Sequence, residues 1–153
     1  MPITETHKLQ LVRTFHATPQ DVYAAWTTPA AVKQFFVPRE GMTIPVADMD
    51  VRVGGSYRIV MKSPDGVSHI AVGVFKEVVP GQRLVYTWSR PEGEGCDGSG
   101  APIQDTLITI EFRAKGSGTE MTFTHDLFPD TKSRDAHQNG WSSILDRLAT
   151  FKG

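Results

Sequence analysis

Cysteine is nearly absent: Cys96 is the single one among 153 residues, so no intramolecular disulfide can form and the fold must rest on its own core. Cys96 sits among glycines in an expected loop, and an exposed free thiol suits a reducing compartment. Long apolar runs are missing as well. No segment approaches the roughly 20 apolar residues that a membrane span needs, and the stretch from Met1 to Leu11 is too polar to serve as a signal peptide. The expected location is the cytoplasm, without membrane association. Neither sign of charge dominates: 16 basic side chains against 17 acidic ones leave a formal charge of -1. Such a balance provides no global field to draw nucleic acid, so no nucleic-acid partner is expected.

Motifs for the common chemistries are also lacking. The histidines are His7, His16, His69, His125 and His137, and no two share an element at metal-ligand spacing. No G-x-S-x-G elbow occurs, and nothing in the sequence around Cys96 would lower its pKa. Gly54-Gly55 has no strand-to-helix flank, so it reads as a turn between strands and not a phosphate cradle. No metal, cofactor or catalytic group is expected on these grounds. Asp50 and Arg52 stand two apart and are expected to pair beside that turn.

What is present is a clear alternation of periods. Lys8 to His16 reads as a strand with Leu9, Leu11 and Phe15 on one face, interrupted by Arg13. Thr18-Pro19 and Thr28-Pro29 each start a short helix, the first carrying Val22 and Trp26, the second Val32, Phe35 and Phe36. Beyond Thr43 the period becomes two. Tyr57, Ile59 and Met61 share a face, alternating with Arg58, Val60 and Lys62; Ser68 to Val79 follows the turn Ser63-Pro64-Asp65-Gly66. Leu84, Tyr86 and Trp88 then alternate, as do Ile108, Ile110 and Phe112, and Met121, Phe123 and His125. Pro91 to Pro102 is rich in glycine and is expected to be a mobile loop at one end of the sheet. A helix from about Thr131 or Ser133 to Phe151 carries Trp141, Ile144, Leu145, Leu148 and Phe151 as one apolar stripe.

The expected architecture is therefore α+β in a single domain over residues 1–153: seven antiparallel strands, two short helices after the first, and a long final helix across the sheet. A one-sided antiparallel sheet must bury its apolar face, and that helix is the only large partner available.

Several pieces are similar to one family when taken in order. Asp50-Val51-Arg52-Val53-Gly54-Gly55, Pro64-Asp65-Gly66 and Gly73-Val74-Phe75-Lys76-Glu77-Val78-Val79-Pro80 come first. Arg83-Leu84-Val85-Tyr86-Thr87-Trp88, Thr122-Phe123-Thr124-His125 and Gly140-Trp141-Ser142-Ser143-Ile144-Leu145 follow. Together they resemble the activator of ninety-kilodalton heat-shock-protein ATPase homologue family, within the START-like (SRPBCC) superfamily. The resemblance implies a helix-grip fold, a curved sheet wrapped around the C-terminal helix with a hydrophobic cavity between them. It also implies a range of roles: chaperone-associated modules of the stress response, ligand carriers and, in related branches, aromatase and cyclase enzymes. The chaperone activators proper add a separate N-terminal domain, whereas this sequence opens directly on the helix-grip part.

The expected function is a non-catalytic binder of a small apolar or aromatic ligand. Tyr57, Ile59, Met61, Tyr86, Trp88, Phe123, His125 and Trp141 are the expected lining. One alternative is a cochaperone-like module that stimulates a heat-shock chaperone ATPase; another is a polyketide cyclase, aromatase or dehydratase. His125 is read two ways: as a ligand or proton-transfer group facing the cavity, or as a core histidine satisfied by a neighbouring backbone or hydroxyl group. Gly140 disfavours helix by about 1 kcal/mol relative to alanine, which implies close approach to the sheet or room beside Trp141. Monomer and homodimer are both open.

Overall fold

In a computed structural model, which describes residues 7–37, 40–90, 103–128 and 131–150, the elements follow in the expected order. Strand β1 (His7–Phe15) is followed by helices α1 (Pro19–Thr27) and α2 (Pro29–Phe35). Strands β2 (Thr43–Met49), β3 (Ser56–Lys62), β4 (Ser68–Val79), β5 (Arg83–Arg90), β6 (Ile103–Lys115) and β7 (Gly118–Phe128) lead to helix α3 (Thr131–Thr150). The loop expected from Pro91 to Pro102, with Cys96, and the last stripe residue Phe151 lie outside the described residues.

Local chemistry explains the breaks. The Thr18 hydroxyl accepts from the Asp21 amide at 3.2 Å, closing the start of α1. Thr28 occupies the same position before α2, yet its hydroxyl makes no capping bond; its carbonyl takes the Val32 amide at 3.0 Å instead. The two glycines of the β2–β3 turn do different things. Gly54 takes a φ of +85°, whereas a Cβ on Gly55 would lie 2.0 Å from the Asp50 carbonyl oxygen. Beside them the Arg52 guanidinium meets Asp50 at 2.8 Å, the expected clamp.

The seven strands form one curved antiparallel sheet in the order β1-β7-β6-β5-β4-β3-β2. Alternation puts Tyr57, Ile59 and Met61 of β3 inside, with Leu84, Tyr86 and Trp88 of β5, and Met121, Phe123 and His125 of β7. Val60, on the opposite face of β3, is buried too, flanked in register by Val46 and Ile70. Helix α3 spans 20 residues, about 30 Å at 1.5 Å per residue, and packs against β1, β7 and α2. Its Trp141, Ile144, Leu145 and Leu148 are all buried. The cation that interrupts the inner face of β1, Arg13, reaches Asp146 of α3 at 3.6 Å.

Among the described residues no helix is long and apolar enough to cross a membrane.

Candidate functional site

Each of the eight residues expected to line a cavity is at most 5% exposed, but they fall into three groups. Tyr57, Ile59 and Tyr86 gather with Phe75 around a void of about 10 Å³. The Tyr57 ring stands edge-on to Tyr86 at 5.2 Å, and its hydroxyl donates to the Thr87 carbonyl at 2.5 Å. Met61, Trp88 and Trp141 border a second space, a cleft of about 50 Å³. Phe123 and His125 have no exposed surface; Phe123 packs on Trp141 at 4.5 Å, and His125 sits 6.0 Å from both Trp88 and Trp141. Phe36, the residue that ends α2, borders both spaces and separates them.

A buried chain of hydrogen bonds organises the third group. The Trp141 indole N–H donates to His125 Nδ1 at 3.0 Å, and an indole nitrogen can only donate, so Nδ1 is unprotonated. The neutral ring then carries its proton on Nε2, which lies 2.8 Å from the Thr106 hydroxyl. The Thr106 hydroxyl donates to the Trp88 carbonyl at 2.5 Å, and the Trp88 indole donates to His137 Nε2 at 3.2 Å. Five groups on four elements thus hold the two indoles in fixed orientations. Charging His125 would require a proton on the atom that already accepts from Trp141. Burial, and after it the neighbouring His137, accordingly hold its pKa well below the usual histidine range. With both nitrogens engaged and no exposed atom, His125 positions its neighbours; it offers no lone pair to a substrate proton.

Local backbone supports this arrangement. Asp105 and Leu127, immediately before Thr106 and two residues after His125, both have left-handed backbones, with φ of 54° and 68°. Their amides are held by short side chains: Asp105 N–H donates to Ser89 at 2.9 Å and Leu127 N–H to Asp126 at 2.7 Å. Non-glycine residues adopt this conformation at a cost of about 1–3 kcal/mol, and only where surrounding structure enforces it.

The cleft has two kinds of wall. Phe36, Met42, Met61, Trp88, Trp141 and Ile144 make the apolar one, while His69, Arg90 and His137 make the other, with Ala136 and Gly140 of α3 closing the rim. The three basic side chains are buried, at 5%, 7% and 7% exposure, and no acidic residue is among the described lining. Gly140 therefore leaves room beside Trp141, one of the two meanings its position allows. A cleft of about 50 Å³ holds a few waters, whereas pockets for drug-sized molecules run to about 300–1,000 Å³. Aromatic rings fill most of the space between sheet and helix.

Three of these groups were overlooked in the sequence although a signal existed. Arg90 continues the inward register Leu84, Tyr86, Trp88 of a central strand; His69 precedes Ala71 and Phe75 on the inner face of β4, paired with Met61. His137 lies one helical turn before Trp141 and extends the α3 stripe. Thr106 extends the Ile108, Ile110, Phe112 register in the same way, whereas the place of Phe36 between the two spaces depends on what other elements bring to it.

A wider groove of about 640 Å³ lies elsewhere, bordered by Phe15, Val22, Ala25 and Leu148. Its polar members His16, Asp21 and Thr28 are exposed, so it presents no desolvated recognition group.

Comparison with known proteins agrees with this geometry. A protein from Chromobacterium violaceum is 28% identical, with a TM-score of 0.80 over 94% of this chain and 96% of its own. One from Nitrosomonas europaea is 25% identical, with a TM-score of 0.74 over 94% and 92%. The AHSA1 protein of Silicibacter pomeroyi, 24% identical over 94% and 96%, shares the fold with a TM-score of 0.77. No curated protein matches the sequence. The family model described as "Activator of Hsp90 ATPase homolog 1-like protein" matches residues 16–152, and the chain belongs to that family.

Proposed function

We propose that this protein binds a small apolar or aromatic molecule between the sheet and α3, without transforming it. The observation that carries this reading is a mixed lining: three buried basic side chains beside methionine and indole side chains around one cleft. A core built for stability alone gains little from a buried guanidinium, whose desolvation is expensive. Binding sites, by contrast, combine an apolar surface with a few polar groups that orient the guest.

Met61, Trp88 and Trp141 make the first contacts. Tyr57, Ile59 and Tyr86 join them when Phe36 moves aside and the two spaces merge, while Phe123 and His125 hold the indoles from behind. Met42 and Met61 have flexible thioether side chains that re-pack readily around a guest, so the small volume is compatible with opening. His125, enclosed and doubly hydrogen-bonded, favours binding over acid–base turnover.

Native mass spectrometry of protein isolated from its own cells tests the reading. A non-covalent adduct is expected, released on denaturation and lost from a Gly140→Leu variant, whose side chain fills the cleft. A protein that works through its outer surface would show no adduct and would keep its activity when the cleft is filled. That result would overturn the proposal.

A further inference from the structure

Tyr86, on the inner face of β5, is 5% exposed, and its hydroxyl has no hydrogen-bond partner among the described residues. We infer, resting on the binding reading, that the ligand carries an uncharged hydrogen-bond-accepting oxygen, such as a ketone or ester carbonyl. That oxygen meets the Tyr86 hydroxyl while the apolar body of the molecule lies on Trp88 and Met61.

The neighbouring Tyr57 shows how the fold treats such a group when it needs it. The two rings stand edge-on at 5.2 Å, and the Tyr57 hydroxyl donates to the Thr87 carbonyl. Buried tyrosines ordinarily place their hydroxyl on a partner in this way. Tyr86 is packed as closely, against Tyr57 and Phe75, and phenylalanine would make the same ring contacts with no polar atom to satisfy. Both tyrosines border the void of about 10 Å³, room for a single oxygen-sized group.

The rest of that void sets the kind of oxygen. Trp26, Val32, Met49, Ile59, Phe75 and Leu84 surround it, and no charged residue is among the described lining. Burial pushes the Tyr86 phenol well above the usual tyrosine range, so the hydroxyl stays protonated and donates. The same loss of solvation opposes a carboxylate, whereas a neutral carbonyl enters at far lower cost. Position sets the rest of the molecule. Tyr86 and Trp88 are successive inward residues of β5, about 6.6 Å apart along the strand, and Phe36 borders both spaces. A flat body on Trp88 and Met61 thus carries an oxygen past Phe36 to Tyr86. The competing account is internal: a water in the void completes the hydroxyl, and carbonyl compounds then bind no better than hydrocarbons of the same shape.

The experiment uses two probe pairs, 1-tetralone against tetralin and 2-acetylnaphthalene against 2-ethylnaphthalene, titrated calorimetrically into the full chain. In the unaltered protein at least one ketone should bind about fivefold or more tighter than its hydrocarbon partner. Tyr86→Phe should erase that preference while leaving the hydrocarbon's affinity in place, which also reports that the variant is folded. The carbonyl stretch of the bound ketone should move to lower frequency in the unaltered protein and return in Tyr86→Phe. The anion 2-naphthoate should bind more weakly than 2-acetylnaphthalene; tighter binding would overturn the uncharged oxygen. Equal affinities for ketone and hydrocarbon, or a preference that survives Tyr86→Phe, would overturn the inference and leave the binding reading standing. Binding of none of the probes would overturn both.

Discussion

The two ends of the concave face are built by the same alternation rule from opposite materials. At one end Phe15, Phe75, Leu84, Phe112 and Met121 close the space with apolar side chains. There the buried hydroxyl of Thr119 is disposed of locally, donating to the Ala17 carbonyl at 2.7 Å. At the other end, where β3, β5 and β7 finish and α3 begins, the inward positions hold His69, Arg90, Thr106, His125 and His137. The difference separates two tasks. Apolar side chains stabilise wherever they are packed, whereas buried polar groups cost free energy unless each finds a partner. Thr106, His125 and His137 meet that requirement through a connected chain of hydrogen bonds, and it is at this end that the cleft lies.

The comparison can be broken first at the apolar end. Phe112, 6% exposed and edge-on to Tyr23 at 5.8 Å, should cost about 3–5 kcal/mol when replaced by alanine. Urea unfolding would show the loss, and probe affinity at the distant cleft should stay the same once corrected for folding. A change in affinity would mean that the ends are coupled.

At the polar end the sharper substitution is Thr106→Val, which keeps the shape and removes the hydroxyl. It strands the His125 Nε2–H and the Trp88 carbonyl, for an expected loss of about 1–3 kcal/mol. A loss below that range in chemical denaturation would show that this chain of bonds is not under strain of desolvation.

The smallest effect is a pH dependence. His125 has a folded-state pKa below its unfolded value, so the unfolded chain binds a proton first as pH falls. Stability is then full above about pH 6.5 and declines as the pH falls below it. Urea midpoints measured from pH 7.5 to 5.5 should show that part of the slope vanish in His125→Gln. An unchanged slope would place the titration elsewhere.

Much of this molecule was legible without coordinates because alternation and capping are local. Thr18-Pro19 announces a helix, and the period-two runs from Tyr57 to Met61 and from Met121 to His125 announce inner faces, since each strand residue's side is set by its neighbours. Of the two readings open for His125, the enclosed one is what the hydrogen bonds describe. The site was less legible. Arg90, His69 and His137 obey the same periodicities, but a charged or polar residue in an apolar register looks like the end of the pattern, and only burial shows that it continues.

The order of elements, the inward sets of residues and the single-sheet class were thus determined by the sequence alone, because they follow from interactions within a few residues. The tertiary structure alone decided how these sets meet. Phe36 arrives from α2 to divide one interior into two spaces, and Thr106 and Trp141, 35 positions apart, close on the two nitrogens of His125. Those choices depend on strand register, sheet curvature and the seat of α3, which arise from packing between segments distant in the chain and leave no local signature.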